Sequence, residues 1–298
     1  MYPAILQHHA ARFSDFPAQP VPPSTHPKDA VYHAALAACS QLGFIAHDAK
    51  CLAQAWLAQT QRLGRFDAAY WPDNPRDFGL QTRPHTQPFA PCPQRLGLYA
   101  VLPDAAWVGR MARAGVPTVQ LRFKSEDAAA IAREVHASVQ AVAGTGALLF
   151  INDHWRAAID AGAYGVHLGQ EDLDALHPDD IETLRASGIR LGVSTHGYAE
   201  MLRADRVCPS YIALGAVFPT TLKKMATVPQ GLARLHDYAR LMRDYPLVAI
   251  GGIGLEQLPP VLATGVGSVA VVRALVAAPN PEAAAVQFMQ AMNALSCA

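Results

Sequence analysis

Residues 148–172 read LLFINDHWRAAIDAGAYGVHLGQED. Two short apolar runs, Leu148 to Ile151 and Gly165 to Leu168, flank a stretch of helical composition, the spacing of two parallel strands joined by a helix. Each run ends in polar residues, Asn152-Asp153 after the first and Gln170-Glu171-Asp172 after the second. Asp153 and Asp172 are 19 residues apart, one such repeat, so they belong to adjacent strands and can approach each other.

Working outward, the same alternation recurs. Further runs occur at Leu96 to Val101, Thr118 to Leu121, Leu191 to Ser194, Tyr211 to Leu214, Leu247 to Ile250 and Ser268 to Val272. Each is followed by helical composition, as in Ser125 to Val142, where Ser125 is the expected N-cap. Eight βα units in about 200 residues predict a closed (β/α)8 TIM barrel at the compact end of its size range. The competing open, doubly wound sheet more often carries a Gly-rich turn after its first strand. Here that strand runs into Leu102-Pro103-Asp104.

Upstream the texture differs. Twelve of the 23 prolines precede residue 96, many of them in Pro17 to Pro27 and Pro72 to Pro93, which read as linkers. Between them Asp29 to Leu63 predicts two short helices turning at Gly43. The expected organisation is a Pro-rich, partly helical extension over 1–95 and a catalytic barrel over 96–298.

The chain has 298 residues, with 24 Lys and Arg against 24 Asp and Glu, 51% hydrophobic and 16% charged. Charge balance argues against a nucleic-acid footprint, and the apolar content against disorder. No apolar stretch reaches the roughly 18 residues of a membrane span, and no secretory signal is evident. Five scattered cysteines, Cys39, Cys51, Cys92, Cys208 and Cys297, predict free thiols and a cytoplasmic location.

In a barrel of this kind the reactive rim lies at the carboxyl ends of the strands. Period-two alternation puts Gln120, Arg122 and Lys124 on one face of an extended segment, two cations and an amide that suit a pyrophosphate. An isolated Arg-x-Lys is more often a solvated strand end, and here the neighbouring strand ends reverse that preference. Asp153 and Asp172 beside these cations suggest Mg²⁺, which prefers hard oxygen ligands and bridges carboxylate to phosphate. The alternative is that each caps a local turn. Gly251-Gly252 after the seventh run can present N–H groups to a second phosphate, or merely form a tight turn. Thr220, Thr221 and Lys223 could bind phosphate or decorate a loop. His167 and His196 invite an acid/base role, although histidines at strand ends are more often structural.

Read in order, these strand-end motifs resemble thiamine-phosphate synthase. The resemblance rests on Val119-Gln120-Leu121-Arg122-Phe123-Lys124, Ile151-Asn152-Asp153, Gly165 to Asp172, Gly192-Val193-Ser194-Thr195-His196, Leu214 to Thr221, and Ala249-Ile250-Gly251-Gly252-Ile253. It implies a transferase that joins 4-amino-2-methyl-5-pyrimidinylmethyl diphosphate to a thiazole phosphate by a dissociative route, releasing pyrophosphate. It also implies residue roles. Gln120, Arg122, Lys124, Asn152 and Lys223 would hold the diphosphate, with Asp153 and Asp172 on Mg²⁺. Ser194 would stand near the leaving group, sharing the catalytic work with Arg122 and Lys223. Thr220, Thr221, Leu222, Gly251, Gly252, Val272 and Arg273 would line the thiazole-phosphate site. Phe123, Leu222 and Arg273 depart from the family pattern, which has an acidic residue, a Thr and a Ser there. The rival readings are a thiazole tautomerase using His196 without a metal, and a noncatalytic phosphate-ligand binding protein. Expected partners are small-molecule substrates, with no nucleic acid and no membrane; a homo-oligomer is compatible with the sequence.

Overall fold

The eight apolar runs are eight parallel strands in the computed structural model, which describes residues 1–24, 29–81, 83–220 and 228–296. They are β1 (Gly97–Leu102), β2 (Thr118–Leu121), β3 (Leu148–Asn152), β4 (Gly165–Leu168), β5 (Arg190–Thr195), β6 (Tyr211–Gly215), β7 (Leu247–Ile250) and β8 (Ser268–Val271). Each strand pairs with the next in sequence and β8 returns to β1, closing the barrel. Strands buried on both faces read as continuous apolar runs rather than alternating ones, which is why the sequence shows them so clearly.

Alternate residues point into the barrel and fill it. Tyr99, Val101, Phe150, Tyr211, Ala213, Val248 and Ala270 form one buried cluster. The register carries this inward set upward, with Asn152 opposite His167 and His167 opposite Gly192. The plug of the barrel is therefore apolar and aromatic, and it becomes polar toward the carboxyl ends of the strands.

Among the described residues three α-helices precede the barrel: α1 (Tyr2–His9), α2 (Ala30–Gln41) and α3 (Ala46–Leu63). The last two match the expected pair, and Gly43 between them has φ +82°. Between and after the strands come α4 (Ala105–Arg113), α5 (Ala128–Val142), α6 (Trp155–Asp160), α7 (Gln170–Asp174), α8 (Pro178–Ala186), α9 (Tyr198–Val207), α10 (Gly231–Leu241), α11 (Leu258–Leu262), α12 (Arg273–Val276) and α13 (Pro281–Ser296). The cap of α5 is not Ser125 but Asp127, whose carboxylate accepts from the N–H groups of Ala129 and Ala130. Ser125 Oγ instead accepts from the N–H of Asp127, two residues too early to start the helix. No helix among the described residues is long and apolar enough to cross a membrane.

The chain divides into two compact units, one of 1–85 with 197–206 and 240–242, the other of 86–196, 207–239 and 243–298. The first unit thus includes nearly all of α9. Its core is aromatic: Phe13, Phe44 and Trp71 pack with ring centres 5.2–5.7 Å apart, and Trp71 donates to the Tyr198 hydroxyl at 3.0 Å. Arg62 grips buried Asp77 through two hydrogen bonds of 2.6 and 2.8 Å. Asp48, also buried, accepts from the N–H of Ala199 in the first turn of α9 at 2.8 Å.

Candidate active site

The cations of the rim arise where β2 ends. Gln120 is the last inward residue of that strand, buried, and its amide donates to Asn152 Oδ1 on β3 at 3.1 Å. The segment from Arg122 onward leaves the sheet, tethered by the Arg122 N–H to Leu102 O at 2.7 Å. Lys124 crosses to Asp153, with Nζ 2.5 Å from Oδ2. Arg122 is half-buried, and among the described residues its guanidinium has no hydrogen-bond or ion-pair partner.

The two aspartates arrive as expected from neighbouring strands. Asp153 follows β3 with φ +65°, in the left-handed region that an acidic side chain tolerates better than most. Its N–H donates to His167 O, so the backbone of β4 fixes this turn. Asp172 in α7 accepts from the Gly169 N–H at 3.0 Å, so it does cap a local turn. Burial, then the adjacent Asp153 carboxylate, push the Asp172 carboxyl above its ordinary pKa, and the two are close enough to hydrogen-bond. Asp153, by contrast, does not cap α6; His154 holds that position without a side-chain cap.

Two crowded carboxylates that repel each other form a hard-oxygen set suited to a divalent cation. The described residues hold no cluster of three or more His, Cys, Asp or Glu side chains able to hold a metal. That set nonetheless fits Mg²⁺, which commonly takes one or two protein carboxylates and completes its octahedron with water and substrate phosphate.

Across the mouth, β5 delivers Ser194, whose Oγ lies 2.7 Å from His167 Nε2. His167 Nδ1 is 2.6 Å from the Tyr211 hydroxyl, and Tyr211 is 2.8 Å from the hydroxyl of Tyr99. Sequence reasoning missed both tyrosines, which read as core-filling aromatics. The signal was their parity, since Tyr99 and Tyr211 occupy inward positions on β1 and β6. Gln170 donates to Ser194 O at 2.7 Å and ties β4's end to β5. His196 follows β5 and is half-buried.

Opposite, Gly251 and Gly252 follow β7 with φ +106° and +67°. A Cβ on Gly251 would lie 2.5 Å from that of Ala216, and one on Gly252 2.7 Å from Pro219 O. Glycine is required here because the loop after β6 lies directly on the turn, with the Phe218 N–H donating to Gly251 O at 3.0 Å. Thr220 is half-buried in that loop, Val272 is half-buried before α12, and Arg273 is exposed on it. Thr221, Leu222 and Lys223 lie outside the described residues.

A closed (β/α)8 barrel with charged and hydroxyl side chains gathered where its strands end is the architecture of a TIM-barrel enzyme. The chain belongs to the thiamine monophosphate synthase family, whose model matches residues 98–275. A thiamine-phosphate synthase of Neisseria meningitidis serogroup B is 54% identical over 67% of this chain and 96% of its own length. That of Cronobacter sakazakii is 54% identical over 64% of this chain and 90% of its own. A solved thiamine phosphate pyrophosphorylase from Pyrococcus furiosus superposes with a TM-score of 0.59 at 28% identity, covering 67% of this chain and 96% of that one.

Proposed function

We propose that this protein is a Mg²⁺-dependent thiamine-phosphate synthase that releases pyrophosphate from an aminopyrimidine methyl diphosphate and joins the pyrimidine to a thiazole phosphate. The observation that carries the reading is Arg122, a half-buried guanidinium without a partner among the described residues, two positions before the Lys124 that pairs with Asp153, whose carboxylate in turn crowds Asp172. A cation left in such a place awaits an anion.

In this reading Arg122 meets the diphosphate with its fork of donors, and Lys124 adds a point charge. Gln120 and Asn152, already hydrogen-bonded to each other, orient the amides behind them. Asp153 and Asp172 would hold the metal, which when bound neutralises charge on the departing diphosphate. Ser194 donates toward the same leaving group. As the carbon–oxygen bond breaks, its electron pair leaves with the pyrophosphate, and the thiazole nitrogen supplies the new pair to the pyrimidine methylene carbon. Gly251, Gly252, Thr220 and the backbone at Val272 and Arg273 would orient the thiazole phosphate for that attack. No strong base is required. Free thiols at Cys39, Cys51, Cys92 and Cys208 support a reducing, cytoplasmic setting for it.

Mixing both precursors with Mg²⁺ tests this directly. Pyrophosphate release that requires both substrates is the expected result. Stabilisation by thiamine phosphate without turnover of the precursors would replace it with the binding-protein reading.

A further inference from the structure

Four side chains from four strands are joined by a run of hydrogen bonds through the barrel. Tyr99 on β1 meets Tyr211 on β6, Tyr211 meets His167 on β4, and His167 meets Ser194 on β5, at 2.8, 2.6 and 2.7 Å. We infer that Tyr211 and His167 are positioning residues that hold Ser194 as a one-way hydrogen-bond donor, its hydroxyl proton directed into the mouth.

A count of protons fixes the order of donors and acceptors. Among the described residues the Tyr99 hydroxyl has one hydrogen-bond partner, Tyr211, and both tyrosines are fully buried. A buried donor without an acceptor is costlier than an acceptor with a spare lone pair, so Tyr99 donates to Tyr211. Tyr211 then has one proton and one remaining partner, and it donates to His167 Nδ1. An accepting Nδ1 requires the neutral imidazole with its proton on Nε2, which donates to Ser194 Oγ. His167 being the sole side-chain partner of Ser194 among the described residues, the serine's own proton is left to point outward.

Every other arrangement strands a proton in the dry core. With Nδ1 protonated, the Tyr211 proton must turn to Tyr99, and the Tyr99 proton then meets nothing. An imidazolium has the same defect, because Tyr211 would have to accept from Nδ1. Burial pushes the titration of both hydroxyls upward, so they keep the protons this count assigns them. Ser194 thus becomes an uncharged donor whose direction is set before substrate arrives, the form of preorganisation that suits charge developing on a leaving oxygen. This use of Ser194 rests on the function proposed above; the proton order does not.

Nitrogen-15 NMR of the histidine-labelled full chain at neutral pH separates the two. The His167 resonances, assigned by their absence in His167→Asn, are expected to show a hydrogen-bonded, unprotonated Nδ1 and a protonated Nε2. A protonated Nδ1, alone or in an imidazolium, would overturn the inference whatever the enzyme does. Tyr211→Phe removes the donor to Nδ1 and is expected to mix the tautomers. In turnover it should lower kcat about ten-fold with KM nearly unchanged, less than the ~10²-fold or more that loss of a transition-state donor itself causes. Tyr99→Phe should leave the tautomer as it was, since Tyr211 then has His167 as its one partner. If the two variants shift the tautomer alike, or Tyr211→Phe raises KM as much as it lowers kcat, the hydroxyls are merely filling the core and the inference falls. Absence of pyrophosphate release by the unaltered protein would remove the proposed function and leave the NMR result standing.

Discussion

Lys124 and Asp153 leave neighbouring strands on separate loops, yet their charged tips meet at 2.5 Å. The contact joins the cationic edge of the mouth to the carboxylate pair, so a diphosphate with its cation would find both halves of its site already drawn together.

Asp153→Asn tests that half of the site better than Asp153→Ala. The φ of +65° would cost an alanine about 1 kcal/mol, whereas asparagine accepts it. Turnover is expected to fall by about two orders of magnitude or more while Tm changes little. Steady-state pyrophosphate release and a thermal melt measure both, and undiminished turnover would remove the metal assignment.

Arg122→Lys keeps the charge and removes the fork. We expect KM for the diphosphate substrate to rise about ten-fold, the loss of roughly one bidentate, charge-assisted contact. Because the guanidinium has no partner among the described residues to lose, the melting temperature should not move. A fall in Tm equal to that of a buried ion-pair variant would mean that Arg122 serves the fold.

Asp172→Asn should stabilise the metal-free protein at neutral pH. The native carboxyl titrates above its ordinary 3.8, so the folded state binds protons more tightly than the unfolded one. The stability this supplies is present below that ordinary value and is lost as pH rises through the raised one. The gain in Tm from the substitution should therefore be seen at pH 7 and vanish in acid. Asparagine can still accept from Gly169, so the turn is kept. An equal gain at both pH values would reject the electrostatic cause.

Gly251→Ala places a methyl group 2.5 Å from Ala216 at φ +106°. A loss of about 1–3 kcal/mol in stability is expected from the strain. Relief by moving the loop after β6 should also raise KM for the thiazole phosphate more than for the diphosphate substrate. Equal effects on the two KM values would detach this turn from the thiazole-phosphate site.

The strands could be read from the amino acids because parallel strands covered on both faces leave unbroken apolar runs, and the runs at Thr118–Leu121, Gly165–Leu168 and Leu247–Ile250 match to the residue. Helix α1 could not, since eight residues beginning at Tyr2-Pro3 carry too little periodicity to stand out. At the rim, Asp153 and Asp172 were legible from their one-repeat spacing. The Tyr99–Tyr211–His167–Ser194 chain was not, because only closure of the barrel brings β1, β4, β5 and β6 around a common axis, and tyrosines within apolar runs look like packing. Ser125 misled for a related reason: serine and aspartate are both good caps, and the helix begins two residues later than the serine suggested.

The Asp48 carboxylate has a consequence for any attempt to shorten this protein. It accepts from the Ala199 N–H at the start of α9 from 151 positions earlier in the chain, in a stretch that precedes the family match at residue 98. Gly197, just before the helix, has no room for a side chain, since a Cβ there would lie 2.1 Å from Asp48 Oδ2. Trimming the chain to the family's span would strip the helix of its borrowed cap and leave a glycine with nothing to offer instead. A workable miniature needs Asp or Ser written into position 197, the same exchange that the full-length protein forbids.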